Sequence, residues 1–215
     1  LYNKSSMKRF LYDILYYIFK GILKVFYTIF FRYEKRGTEN IPSSGGVIIA
    51  SNHLSYLDPP LIGISINKRP LFIAKGSLFS NPAIGWFVRL YSLPVDRDNP
   101  KPSTMKEALK ALRQGKAVII FPEGTRSHDG SIREGKKGVG ALAALSKAPV
   151  VPALIEGTDR ALPVGARFFK PAKVRVTFGR PIYYNKEEKN KEIQEKISEE
   201  VMDRIRELKE EAAWR

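Results

Sequence analysis

After Arg36 the chain places short, nearly uninterrupted β-branched and aliphatic runs between segments of helical periodicity, and this alternation restricts its fold more than any other feature. The runs are Val47–Ala50, Leu71–Ala74, Ala117–Phe121, Val150–Ile155 and Val174–Phe178. Continuous apolarity over so few residues predicts strands buried on both faces, as in a parallel sheet. Helical patterns fall at Pro59–Ile66, Pro82–Leu90, Ser103–Arg113 and Lys137–Ser146, and a last one carries Ile193, Ile197, Val201, Ile205 and Leu208 on one face. Strand–helix alternation of this kind predicts an α/β domain with a mostly parallel central sheet flanked by helices over residues 37–215. At 215 residues the chain is long enough for one such core plus an appendage.

Residues 1–36 form that appendage. From Met7 to Phe31 the sequence is dense in Phe, Tyr, Leu and Ile, and its polar members Arg9, Asp13, Lys20, Lys24 and Thr28 recur at helical spacing. They define one narrow stripe and leave most of the circumference apolar. The longest uninterrupted apolar run in this segment, Ile14–Phe19, has 6 residues, well short of the ~20 of a spanning helix. Lys20 and Lys24 would also be stranded in hydrocarbon. The expectation is a helical segment lying in the membrane interface, with a break near Gly21, peripheral or monotopic rather than spanning. The competing expectation is a helix that covers the core of the globular part.

Charge narrows the partners. Lys and Arg number 37 against 22 Asp and Glu, a formal +15, and the excess lies in residues 1–184, because the tail from 185 carries 8 basic and 10 acidic side chains. Such a field attracts nucleic acid, an anionic membrane or phosphorylated small molecules. The basic residues are dispersed and no nucleic-acid reading motif accompanies them, so a nucleic-acid-binding module is the weaker reading. With no cysteine and only two histidines, 75 positions apart, thiol chemistry is excluded and a histidine-rich metal cluster is not expected.

In open α/β sheets, chemistry gathers at loops after the carboxyl ends of the strands, and conspicuous residues sit there. The run Val47–Ala50 leads into Asn52 and His53, and Asp58 follows five residues after the histidine, just before Pro59 and Pro60. Asp followed by Pro is a helix N-cap signal. An Asp beside an imidazole can also fix its tautomer and stabilise the cation formed when the ring takes a proton. Both roles are open for Asp58 at this stage. No Gly-x-Ser-x-Gly elbow is present, which favours direct transfer to an outside hydroxyl over a covalent enzyme intermediate. Further along, Phe121-Pro122-Glu123-Gly124-Thr125-Arg126-Ser127 offers hydroxyls, amides and a guanidinium suited to phosphate. Glu123 would repel a phosphate, and is expected to bond a substrate hydroxyl or orient an arginine. Arg97 is a second candidate arginine, Lys75 a supporting cation, and Gly135–Gly140 is read as the start of a helix.

In this order, Asn52-His53-x-x-x-x-Asp58, Val95-x-Arg97, Phe121–Ser127 and Val151-Pro152-Ala153-Leu154-Ile155 resemble the glycerolipid acyltransferase family. The resemblance implies transfer of a fatty acyl group from a thioester of acyl carrier protein or coenzyme A to the sn-2 hydroxyl of lysophosphatidic acid, giving phosphatidic acid. Acylation of glycerol-3-phosphate or another lysophospholipid is the nearest rival. It also implies His53 as general base, Asp58 as its partner, and Arg97, Glu123, Gly124, Thr125 and Arg126 around the glycerol phosphate, with Asn52 and Lys75 in support. No metal or cofactor is expected. The expected partners are the lysophospholipid, the thioester and an anionic membrane surface, with the protein on the cytoplasmic face of the cell membrane.

Overall fold

The computed structural model describes residues 4–76, 80, 92–95, 102–184 and 191–213, without the side chains of 4–6, 8–12, 74–75 and 93–95. Seven strands form one sheet: β1 (Glu34–Arg36), β2 (Val47–Ser51), β3 (Pro70–Lys75), β4 (Ser92–Val95), β5 (Ala117–Ile120), β6 (Val150–Glu156) and β7 (Arg175–Phe178), in the order β1-β7-β6-β2-β5-β3-β4. Every pairing is parallel except β6 with β7. The helices are α1 (Lys4–Phe31), α2 (Asp58–Ser65), α3 (Pro102–Arg113), α4 (Gly138–Ser146), the short α5 (Thr158–Ala161) and α6 (Lys191–Ala213). The fold is therefore α/β with a mostly parallel sheet flanked by helices. The helical pattern at Pro82–Leu90 lies outside the described residues.

The period-two alternation of the strands sorts their side chains into two cores. Val47 and Ile49 of β2, Ala117 and Ile119 of β5, and Val151, Ala153 and Ile155 of β6 meet α1 and α2 on one face. On the other, Ile48, Ala50, Val118, Ile120, Val150 and Leu154 meet α3, α4 and α6. β2, at the middle of the sheet, is buried along its whole length, which is why its sequence carries no polar residue before Ser51. Its carboxyl end lies between those of β5 and β6, so the loops after these strands converge.

Helix α1 departs from the sequence expectation in two ways. It runs unbroken through Gly21, whose α-carbon faces open space. A lone interior glycine is a penalty of only about 1 kcal/mol against alanine, too little to divide a helix packed on both sides of it. In addition, Asp13–Phe31 is 19 residues of mean hydropathy 1.6 and by length and composition is enough to cross a membrane. One side of it is committed to the domain. Asp13 pairs with Arg69, the Lys20 ammonium donates to Ile66 O, the Tyr27 hydroxyl donates to Leu57 O at 2.8 Å, and Tyr33, just past the helix, shares a 2.6 Å hydrogen bond with Ser65. These contacts grip α2 at both ends. Tyr27 and Phe31 are fully buried, while Ile14, Leu15, Tyr17, Ile18, Ile22, Val25 and Ile29 point outward and are exposed. One stripe thus covers the core, and a much wider apolar surface stays bare.

Candidate active site

Residues Ser51 to Ser55 continue β2 into a buried loop. Asn52 anchors its start: its Nδ2 donates to Ile155 O at 2.9 Å and its Oδ1 accepts from Ile155 N at 2.7 Å. The side-chain amide thus imitates one residue of strand and locks the loop to β6. This fixes where His53 leaves the sheet.

His53 is 8% exposed, and its ring stacks on Phe121 with centroids 4.1 Å apart. Its Nδ1 lies 2.8 Å from Asp58 Oδ2. The same oxygen accepts from Leu54 N at 2.6 Å and Ser55 N at 2.8 Å. Two main-chain donors already converge on that oxygen, so the fully buried carboxylate is held as an acceptor. It presents to the ring an oxygen that needs an N–H at Nδ1, so in the neutral ring Nε2 is the nitrogen with the free lone pair. Asp58 caps nothing in α2: it occupies the helix's first turn, and its carboxylate folds back onto the preceding loop. Among the described residues its Oδ1 has no hydrogen-bond partner.

The loop after β5 supplies the opposite wall. Glu123 is buried, with Oε1 accepting from His53 N at 3.0 Å and Oε2 from Arg133 N at 3.1 Å. Ser127 N returns a 2.7 Å hydrogen bond to His53 O. The main chain of the histidine is therefore clamped on both sides by the Phe121–Ser127 turn. Burial raises the Glu123 pKa above its ordinary value, against the opposing pull of its hydrogen bonds from Arg133 and His53. The sequence reading aimed Glu123 at a substrate hydroxyl or an arginine side chain; in the structure each of its oxygens meets a backbone amide.

Gly124 has φ of 71°, a left-handed conformation that favours glycine. It also leaves room for Lys136, because a Cβ there would stand 3.0 Å from Lys136 Cε and 3.4 Å from Nζ. Thr125 is exposed, and the Arg126 guanidinium lies over the Tyr56 ring at 3.6 Å from its centroid. Tyr56 belongs to the His53–Asp58 loop, so this stacking brings Arg126 to the histidine's loop. Lys136 was missed by sequence reasoning, which took its segment as the start of a helix. The signal available was a lysine pair flanked by glycines shortly after the Glu-Gly-Thr-Arg turn. Arg97 lies outside the described residues, as does the side chain of Lys75, whose main chain closes β3 opposite Val95. Among the described residues no group of three or more His, Asp or Glu side chains is placed to share a metal ion.

Comparison with known proteins fits this geometry. A family profile described as Acyltransferase matches residues 32–156, which include every described residue of the site. The 1-acyl-sn-glycerol-3-phosphate acyltransferase of Bacillus subtilis (strain 168) is 37% identical over 148 residues, 67% of this chain and 71% of that protein. The chloroplastic 1-acyl-sn-glycerol-3-phosphate acyltransferase of Brassica napus is 35% identical over 162 residues, and the match spans 73% of this chain but only 47% of the longer plant protein. Among solved structures, the crystal structure of the 1-acyl-sn-glycerophosphate (LPA) acyltransferase PlsC from Thermotoga maritima superposes with a TM-score of 0.74 at 30% identity, covering 97% of this chain and 84% of that one.

Proposed function

The chain belongs to the Acyltransferase family, and from that premise we propose that it is a 1-acylglycerol-3-phosphate O-acyltransferase, which moves a fatty acyl group from a thioester to the sn-2 hydroxyl of lysophosphatidic acid. The observation that carries this reading is the 2.8 Å contact between His53 Nδ1 and an Asp58 oxygen already held by two loop amides. An alcohol is a poor nucleophile until its proton is removed. With Nδ1–H donating to Asp58, Nε2 takes the proton of the sn-2 hydroxyl as its oxygen attacks the thioester carbonyl, and Asp58 stabilises the imidazolium. Collapse of the tetrahedral adduct breaks the carbon–sulfur bond, and the imidazolium returns its proton to the departing thiolate. General-base assistance of this kind is worth about 10²–10⁴ in rate.

Arg126, stacked on Tyr56, receives the phosphate of the acceptor, and the Lys136 ammonium over Gly124 adds a second positive charge at the same turn. By the family resemblance Arg97 serves as a further phosphate-binding arginine and Lys75 as a supporting cation, and Thr125 offers a hydroxyl. Glu123 and Asn52 act at one remove, by holding the main chain of His53 and of β6. The donor is a thioester of acyl carrier protein or of coenzyme A, and both suit a basic protein. The bare apolar side of α1 lies in the interface of the cytoplasmic leaflet as a monotopic anchor, with its other side on the domain.

The test is to incubate purified protein with lysophosphatidic acid and each thioester in turn and to identify the lipid by mass spectrometry. Phosphatidic acid is the expected product. Acylation of glycerol-3-phosphate alone would overturn the choice of acceptor, and absence of any acylated lipid would overturn the activity.

A further inference from the structure

The most exposed large apolar side chain among the described residues is Phe168, at 82%. It sits in the segment 162–174 between α5 and β7, remote in sequence from α1 yet joined to it. The ring of its neighbour Phe169 packs edge-on against Phe26, Phe30 and Phe31, with centroids 5.3, 5.8 and 5.9 Å away. Val174 N donates to Phe31 O at 2.9 Å, and Lys170 N to Ala161 O at 2.7 Å. The segment is thus held in place against α1, where Ile22, Val25, Ile29 and Phe30 are exposed as Phe168 is.

Its charges are of one sign. No acidic residue occurs between Asp159 and Glu187. Lys173 and Arg175 pair with Glu34, whereas Arg167 and Lys170, either side of the phenylalanine pair, are exposed and make no ion pair among the described residues. An aromatic tip flanked by unpaired cations, on a segment that its neighbour Phe169 packs against an apolar helix, matches an anionic bilayer, whose acyl boundary takes the ring and whose phosphates take the charges. A second copy of the chain fits poorly, because a two-fold contact would set these cations against themselves.

We infer that the segment 162–172 is a second membrane-contacting element, with Phe168 entering the interface and Arg167 and Lys170 at the headgroups. The inference rests on the membrane-docked acyltransferase proposed above and adds an orientation to it. Leu162 O accepts a 2.8 Å hydrogen bond from Ser55 Oγ, two residues from His53. Contact through this segment therefore sets the catalytic loop at the bilayer surface, where a lysolipid acceptor resides.

The experiment uses the whole chain with vesicles of phosphatidylcholine alone or mixed with phosphatidylglycerol. Acylation of a water-soluble short-chain lysophosphatidate serves as the measure of intact chemistry. Phe168→Ala is expected to weaken binding to mixed vesicles about 10-fold, and Arg167→Gln or Lys170→Gln about fivefold each, with the soluble rate unchanged. In Phe168→Trp, fluorescence is expected to be quenched by brominated lipid beyond the background of Trp86 and Trp214. Parent-like vesicle binding by all the variants would overturn the inference and leave the acyltransferase reading standing. So would a lipid-free dimer of the parent that Phe168→Ala dissolves. If the parent binds neither vesicle, the membrane docking proposed above fails and this inference falls with it.

Discussion

Replacing Asp58 by asparagine separates a catalytic carboxylate from a structural one. In the parent, Oδ2 receives three donors, at 2.6, 2.8 and 2.8 Å, and Oδ1 receives none from the described residues. Asparagine cannot reproduce this. With its carbonyl oxygen in place of Oδ2, the three hydrogen bonds persist without their charge, and two amide protons are buried where Oδ1 has no partner. With its nitrogen there instead, it faces two main-chain donors and donates to His53 Nδ1, which moves the ring proton to Nε2 and removes the base. Hydrogen bonds to a charged group are worth about 1.5–3 kcal/mol against about 0.5–1.5 for neutral ones, so the three lose about 3 kcal/mol together. Relief from burying an ion, itself several kcal/mol, offsets much of that. Stability should therefore change by no more than about 2 kcal/mol, while loss of the tautomer and of imidazolium stabilisation should lower kcat about 10³–10⁴-fold. The assay is the initial rate of phosphatidic acid formation at saturating acceptor and thioester, alongside urea unfolding followed by circular dichroism. A variant within tenfold of the parent kcat would refute the reasoning. A loss of activity matched by collapse of the unfolding midpoint would return Asp58 to a purely structural role.

Other substitutions probe the walls of the site. Arg126→Ala should raise KM for lysophosphatidic acid about 10–100-fold, the worth of one charge-assisted hydrogen bond, and leave the thioester KM and any rate on monoacylglycerol unchanged; an effect confined to the thioester would contradict it. Asn52→Ala leaves Ile155 N and O unpaired in the interior, so it should destabilise the fold by about 2–5 kcal/mol, and a thermal midpoint equal to the parent's would dismiss the clamp. The raised pKa of Glu123 means that the folded state holds this proton more tightly than the unfolded chain does. Its contribution to stability is therefore present at acid pH and declines as pH rises above the ordinary 4.5. Urea midpoints of the parent should fall relative to those of Glu123→Gln as pH goes from about 4.5 to 7, and parallel profiles would refute the sign.

Of the five strands read from sequence, β2, β5 and β6 are buried almost throughout, which leaves an uninterrupted apolar run, and β7 shows itself by alternation, with Val176 and Phe178 buried between half-buried Arg175 and Thr177. The two that escaped notice are edge strands. β1 is Glu-Lys-Arg, with charges facing water and Glu34 tied to Lys173 and Arg175. β4 is four residues long and includes Pro94, which an edge tolerates because it needs no donor on that side. In the site, His53 and Asp58 were legible because their separation along one loop is local. The engagement of Glu123 was not, because its two partners are main-chain amides of segments 70 residues before and 10 after it. Side-chain type says nothing about which amides a fold will deliver. The wide apolar side of α1 was legible from the narrowness of its polar stripe, but not that the stripe's Lys20 and Asp13 turn toward the domain.

The grip of α1 on α2 joins the helix proposed as the anchor to the loop proposed for catalysis as one mechanical part. Tyr27 holds the carbonyl of Leu57, the residue before Asp58, while Lys20 and Tyr33 hold the far end of the same short helix. Grafting an unrelated greasy tail in place of residues 1–31 would restore attachment without restoring the splint. Such a chimera would sit on lipid with the His53–Asp58 loop unsupported. Trimming the leader for the sake of a tractable preparation removes the same splint.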